Sequence, residues 1–196
     1  MKRRCLTWLG SALLIGGATF LGYYLWLQHK ADEAQLQARR QLDSIITHRA
    51  PHAPKASLRP RIGRPRRGDV VGEIIIPRVH LAVMVFEGDD EGILKVGAGH
   101  IPGTALPGQS GNVGIAAHRD TYFRLLRRIH PNDEIVLKTV TDTTHYAATN
   151  TEIVRPSDTE VLATAPGRDL TLVTCYPFNY VGSAPKRFTV HARKIG

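Results

Sequence analysis

Cysteine is almost absent from this sequence. Only Cys5 and Cys175 occur among 196 residues, and Cys5 lies at the edge of a long apolar stretch, so we expect no disulfide between them. No spacing resembles a zinc site, and we predict neither a metal nor a cofactor. If the C-terminal part is exported, Cys175 is an unpaired thiol in an oxidising compartment, which indicates a reactive group.

An excess of positive charge is missing from the C-terminal two thirds of the chain. The formal net charge is +9, yet residues 69–196 carry thirteen Lys and Arg against fourteen Asp and Glu. The basic excess therefore lies before residue 69. Because a nucleic-acid-binding domain needs a basic surface, we expect no nucleic-acid partner.

Charged residues are also missing from residues 5–29. As a helix, residues 6–27 would extend roughly 33 Å, enough to cross the hydrocarbon core of a membrane. Tryptophan and tyrosine lie near the two ends, as in an interfacial aromatic belt. A cleaved signal peptide would have a shorter apolar core and a small-x-small site. We therefore predict one transmembrane signal anchor within residues 1–29, with the N-terminus cytoplasmic and the rest of the chain extracytoplasmic.

Residues 30–68 lack the alternation of a folded β domain. Helix-forming residues predict a short juxtamembrane helix over residues 31–48. Proline and arginine then dominate the stretch "RAPHAPKASLRPRIGRPRRG", which is typical of an extended, solvated stalk. Attraction of this basic segment to anionic lipid or wall polymer is the alternative interpretation.

Residues 69–196 read as a single, mainly β domain. Short β-branched runs between turns predict strands at 70–79, 81–88, 112–118, 133–140, 144–156, 170–176 and 187–195. Short helices are predicted between them at 90–100, 119–129 and 157–164, with Asp120 or Ser157 as caps of the last two. Seven or eight short strands favour a closed or nearly closed β-barrel with helical connections.

Three residues of this domain have the chemistry of acyl transfer. Cys175 lies near the end of the run "LTLVTCY" and Arg187 begins the run "RFTV", so antiparallel pairing of the two runs would bring both residues to the same end of the barrel. His118 ends the run "NVGIAA". A base or cation activates a thiol, and arginine is a forked donor for an oxyanion. A buried structural thiol is the alternative for Cys175.

The segments "AAHRD", "TLVTC" and "KRF" together resemble the sortase family of cysteine transpeptidases. The resemblance covers residues 70–195 and includes "GHIPGTALPGQSGNVGIAAHRD". The stretch "CYPFNYVGSAPKRF" is most similar to class D sortases. An N-terminal anchor and a polar stalk also fit sortases of this architecture, so the resemblance implies a sortase-type barrel.

The same resemblance implies a function and a role for each site residue. Cys175 would attack the carbonyl of an LPxTG-like sorting signal, His118 would act as acid and base, and Arg187 would stabilise the oxyanion. Thr174 is assigned to the substrate pocket by resemblance, and Asp120 is a candidate to orient His118. The implied partners are proteins with a C-terminal sorting signal and an amine acceptor, such as a cell-wall peptide or a pilin lysine.

Two other functions are compatible with parts of the sequence. One is a thiol hydrolase or a peptidoglycan L,D-transpeptidase, although the cysteine motif typical of the latter is absent. The other is an inactive, membrane-tethered binding module in which Cys175 is structural.

Overall fold

The computed structural model describes residues 2–48, 64–167 and 169–195, without the side chains of residues 2–12, 27–28, 31 and 45–48. Most of the predicted stalk, residues 49–63, lies outside the described residues. So do the side chains that begin the predicted anchor, residues 5–12.

One long helix, α1, runs from Lys2 to His48. It joins the predicted anchor and the predicted juxtamembrane helix into one element. Across the part of the chain that the structure describes, no helix has both the length and the apolar character needed to cross a membrane. The transmembrane part of the predicted fold is therefore not confirmed.

Eight strands form a closed barrel, in agreement with the predicted fold class. They are β1 Val70–Ile76, β2 Leu81–Glu87, β3 Ala98–His100, β4 Val113–Ala116, β5 Glu134–Lys138, β6 Thr143–Val154, β7 Leu170–Tyr176 and β8 Lys186–Lys194. Around the barrel the order is β1-β2-β3-β4-β7-β8-β6-β5, and β5 pairs with β1 to close it. The connections contain helix α2, Glu91–Val96, and 3-10 helices at Pro77–Val79, Tyr122–Arg128 and Thr159–Leu162.

Alternating apolar residues fill the interior of the barrel. In β7, Leu170 and Leu172 are fully buried in the main core, and Ile115 of β4 pairs with Leu172 inside it. Because side chains of a strand point alternately to its two faces, the residues between them lie on the outer face. This alternation determines which side chains of β7 point away from the core.

The segment 90–100, predicted as one helix, divides into α2 and β3. Gly97 separates the two, and a Cβ there would lie 2.6 Å from the Phe86 ring and 2.8 Å from the Met84 carbonyl oxygen. A close backbone approach thus ends the helix and starts β3, which pairs in parallel with β2. A three-residue strand is too short to produce a visible alternation in the sequence.

The other two predicted helices are short 3-10 helices, and the predicted caps are wrong. The residues at their N-caps are Thr121 and Asp158, neither of which makes a side-chain capping hydrogen bond. The side-chain cap belongs instead to α2, where Asp90 accepts hydrogen bonds from the backbone N–H groups of Gly92 at 2.9 Å and Ile93 at 3.4 Å.

The second half of α1 packs on the outside of the barrel. Ala38 and Leu42 are buried in a second core, together with three residues of β2 and α2: Met84, Phe86 and Ile93. This contact was not predicted, because the apolar residues of the segment are irregularly spaced. It makes the end of α1 a part of the folded domain.

Polar side chains of α1 bind the same surface at intervals of one helical turn. The side-chain oxygen Oε1 of Gln35 accepts a hydrogen bond from the backbone N–H of Met84 at 2.9 Å. Arg39 forms an ion pair with Glu73, whose side chain is buried. Asp43 forms a third contact, 3.0 Å from Nζ of Lys138. These contacts lie over β2, β1 and β5, so α1 crosses three neighbouring strands.

Replacing Leu42 by alanine tests whether α1 belongs to the folded domain. We expect Leu42→Ala to lower the free energy of unfolding by about 2–5 kcal/mol, because it leaves a cavity in the second core. Leu36→Ala is the matched control, since Leu36 lies on the same helix and is 54% exposed. Equal unfolding free energies for the two variants in urea denaturation would show that α1 does not pack as described.

Arg67 connects the end of the predicted stalk to α2 and gives a pH-dependent contact. Its Nε and Nη2 each donate to the Asp90 carboxylate at 2.6 Å, and mainly for this reason the pKa of Asp90 falls from 3.8 to about 2. Since the folded pKa is lowered, the stabilisation is present above about pH 4 and is lost as the pH falls towards 2. We expect Arg67→Gln to raise the pKa of Asp90 in an NMR titration, whereas Arg66→Gln leaves it unchanged. An unchanged pKa in Arg67→Gln would contradict the pairing.

Candidate active site

Strand β7 lies between β4 and β8, and its register on both sides aligns the three residues singled out in the sequence. With β8 it is antiparallel, and Cys175 is directly opposite Arg187. With β4 it is parallel, and the last aligned pair is Ala116 with Val173. His118 comes two residues after Ala116, so the same register, continued past the end of β4, would bring it next to Cys175. Neighbouring strands are about 4.8 Å apart, and on the β8 side the observed pairing brings Arg187 next to Cys175.

Hydrogen bonds continue the alignment of β4 and β7 beyond the end of β4. The Ala117 N–H donates to the Val173 carbonyl oxygen at 3.2 Å. The Thr174 hydroxyl donates to the Ala117 carbonyl oxygen at 2.7 Å. Because these bonds are one residue from His118 and from Cys175, they fix the backbone that carries both.

The three residues occupy the outer face of the barrel. Leu172 points into the core, and Thr174, two residues later, points the same way and is 2% exposed. Cys175 is the next residue and therefore points outwards. On the outer face, Thr171 and His191 form a cross-strand pair whose Oγ1 and Nδ1 atoms are 3.1 Å apart. Cys175 and Arg187 are the pair four residues further along each strand, so they lie on that same face.

The exposure of the site suits a nucleophile. Cys175 is a free thiol and is half-buried. The side chain of His118 is 30% exposed, and its Nε2 lies 4.0 Å from Oε2 of Glu91. Arg187 is half-buried, and its Nη1 donates to the carbonyl oxygens of Ala184 at 3.3 Å and Lys186 at 3.1 Å. The thiol therefore has a permanent cation opposite it on β8, and the partial exposure of all three side chains leaves the site open to solvent.

A buried polar cluster lies behind the site on the same face. Nδ2 of Asn112 donates to the Thr171 hydroxyl at 2.9 Å, and that hydroxyl also contacts His191. The cluster joins β4, β7 and β8, and all three of its residues are at most 1% exposed. Satisfied buried hydrogen bonds of this kind favour one arrangement of the strands. None of these three residues was singled out from the sequence, because their contacts join segments that are distant along the chain.

The roles predicted for the two accessory residues, Asp120 and Thr174, stay predictions. Asp120 is exposed, and within the described residues no ion pair joins it to His118. The carboxylate beside the histidine is that of Glu91, at the start of α2, and no local sequence signal indicated it. Thr174 binds the backbone of Ala117 rather than lining an open pocket, so its assignment to substrate binding stays a prediction.

Substituting Thr174 tests the connection between the two strand ends. We expect Thr174→Val to lower the free energy of unfolding by about 1–3 kcal/mol, because the buried Ala117 carbonyl loses its hydrogen bond. Thr174→Ser keeps the hydroxyl and serves as the control. If the two variants unfold at the same urea concentration, the hydrogen bond does not connect the strands as described.

Comparison with known proteins agrees with this geometry. Residues 74–195 match the family model described as the sortase domain. Sortase D of Bacillus subtilis is 30% identical over 166 residues, which cover 83% of this chain and 81% of that protein.

Solved structures share the fold. The Sortase D5 transpeptidase of Clostridium perfringens superposes with a TM-score of 0.64 at 25% identity, covering 84% of this chain and 98% of that one. Sortase A of Corynebacterium diphtheriae gives a TM-score of 0.61 at 26% identity, covering 85% and 84% of the two chains. The chain described here is a member of the sortase family of cysteine transpeptidases, and it resembles the class D sortases.

Proposed function

We propose that this protein cleaves an LPxTG-like sorting signal through a thioacyl intermediate on Cys175 and transfers the acyl group to an amine, attaching proteins to the cell surface. The observation that supports the proposal is the pairing of Cys175 with Arg187 on β7 and β8, together with the hydrogen bond from Thr174 to Ala117, the residue before His118. A thiol flanked by a base and a cation has the groups that acyl transfer needs: a nucleophile, a proton carrier and an oxyanion donor.

In the first half of the proposed reaction, the Cys175 thiolate attacks the carbonyl carbon of the threonine in the signal. A carbon–sulfur bond forms, and the bond to the next residue, glycine or alanine, breaks. The protonated imidazole of His118 gives its proton to the departing amine, which leaves as a neutral group. The product is a thioester between Cys175 and the shortened substrate protein.

In the second half, the acceptor amine attacks the thioester carbonyl. His118 takes a proton from the amine, the new carbon–nitrogen bond forms, and the carbon–sulfur bond breaks to restore the Cys175 thiolate. Water in place of the amine would give hydrolysis. The acceptor therefore determines the reaction: an amine gives transpeptidation, and water gives hydrolysis of the substrate protein.

Arg187 stabilises the negative oxygen that forms in both halves. Its guanidinium group has five N–H donors in a fixed plane. Nη1 binds two carbonyl oxygens of the chain, whereas within the described residues Nε and Nη2 make no hydrogen bond. Those two donors are free to bind an oxyanion on the neighbouring strand, or the substrate backbone.

The proposed substrates are proteins with a C-terminal sorting signal, and the proposed acceptor is an amine of a cell-wall peptide or a pilin lysine. Such partners place the barrel outside the cell. Attachment to the plasma or inner membrane through residues 5–29 is part of this proposal. It is supported by the absence of charged residues there and by the exposure of apolar side chains such as Leu13, Leu14 and Phe20.

The direct test incubates the full chain with an LPxTG- or LPxTA-type peptide and a panel of amines, with products measured by mass spectrometry. We expect ligated product from the wild type and none from Cys175→Ala. Full activity in Cys175→Ala would show that Cys175 is not the nucleophile. Cleavage without ligation to any amine would show a thiol hydrolase instead.

A second substitution tests the role of Arg187. We expect Arg187→Lys to lower kcat/KM on the order of 100-fold, since the charge is kept but the planar pair of donors is lost. Arg193→Lys, on the exposed end of the same strand, is the control and should retain the wild-type rate. A nearly normal rate for Arg187→Lys would contradict oxyanion binding by the guanidinium group.

A further inference from the structure

Arg119, the residue after His118, binds the segment that connects β7 to β8. Its Nη2 donates to the carbonyl oxygen of Tyr180 at 2.7 Å and to that of Gly182 at 3.0 Å. The guanidinium carbon also lies 5.8 Å from the centre of the Tyr180 ring, within the range of a cation–π contact. The strand end that carries His118 is thus joined to the loop that leads to Arg187.

The middle of the connecting segment, residues 177–185, makes few other contacts with the barrel. Its first part contacts β8 through the ring of Phe178, which packs against Phe188 at 5.3 Å. From residue 179 to 183 every residue is exposed, and Val181 is 97% exposed. A segment with few buried contacts opens at low cost. The hydrogen bonds from Arg119 are therefore the main restraint on its conformation.

Two arginines bind carbonyl oxygens of this one segment. Arg119 binds those of residues 180 and 182, and Arg187 binds that of residue 184 through Nη1. The side-chain position of Arg187 consequently depends on where the segment places its carbonyls. The placement of the segment depends in turn on Arg119.

We propose that Arg119 is a positioning residue that holds the β7–β8 segment so that Arg187 stays beside Cys175. The idea rests on the proposed function, because it assumes that Arg187 takes part in the reaction. Arg119 itself contacts neither Cys175 nor the reacting carbonyl in this account. Arg119 links two parts of the candidate site: it follows His118 in the chain, and the segment that it binds leads to Arg187, which pairs with Cys175.

The test compares full-length variants in activity. We expect Arg119→Ala to lower kcat/KM on the order of tenfold, the size expected for loss of charged hydrogen bonds. Arg119→Lys should recover most of the rate, because its ammonium group can donate to the same two carbonyls. Arg124→Ala is the matched control, an exposed arginine on the adjacent 3-10 helix, and should behave as wild type.

A double-mutant cycle separates positioning from a general structural effect. If Arg119 acts through Arg187, then Arg119→Ala should change kcat/KM by less than about threefold in the Arg187→Lys background. An equal tenfold loss in both backgrounds would overturn the proposal. So would a melting temperature of Arg119→Ala low enough to account for the loss of activity.

Hydrogen–deuterium exchange provides a readout that does not need activity. We expect peptides covering residues 179–186 to exchange faster in Arg119→Ala than in the wild type or in Arg124→Ala, with Arg119→Lys between them. Unchanged exchange would show that Arg119 does not hold the segment. If the wild type has no transpeptidase activity, the proposed function fails, while the exchange experiment still decides whether the arginine restrains the loop.

Discussion

The pairing of β7 with two neighbours, parallel to β4 and antiparallel to β8, is the constraint on which the site depends. A shift of one residue in either pairing would turn a strand's outer residues towards the core. Cys175 would then be buried with the apolar residues, out of line with Arg187. Two sets of hydrogen bonds oppose such a shift: the Asn112 and Thr171 cluster on the outer face, and the Thr174 contact with Ala117 on the inner one. The alignment of Cys175 with Arg187 therefore depends on strand register.

Elements distant in the chain support this central group. Helix α1 covers the outer face of β2 and packs against α2. The first residue of α2, Glu91, lies beside His118. On the opposite side, the segment after β7 is restrained by an arginine adjacent to the same histidine. The site is thus bounded by a helix fixed to the barrel and by a segment fixed to the histidine's own strand.

The sequence predicted the strand at the centre of the candidate site and its pairing with β8. The short run of apolar and β-branched residues predicted the bounds of β7, Leu170–Tyr176, without error, and the expected antiparallel pairing with β8 is present. The parallel pairing with β4 was not predicted, because contacts between distant strands leave no local pattern. The same holds for Glu91 and for α1, because the apolar residues of the segment 31–48, taken together, do not mark one packed face. Strand β3 was missed because three residues show no period. Comparison with known sortases confirmed the family that the motifs suggested.

Detection of the thioester is the most direct test of the account. The full chain would be mixed with a sorting-signal peptide in the absence of an amine, quenched in acid within the first turnover, digested and analysed by mass spectrometry. We predict that the peptide containing Cys175 gains the mass of the acyl fragment, that hydroxylamine removes it, and that Cys175→Ala shows no adduct. Cleavage of the peptide without any adduct on Cys175, or with an adduct on another residue, would contradict the assignment of Cys175 as the nucleophile.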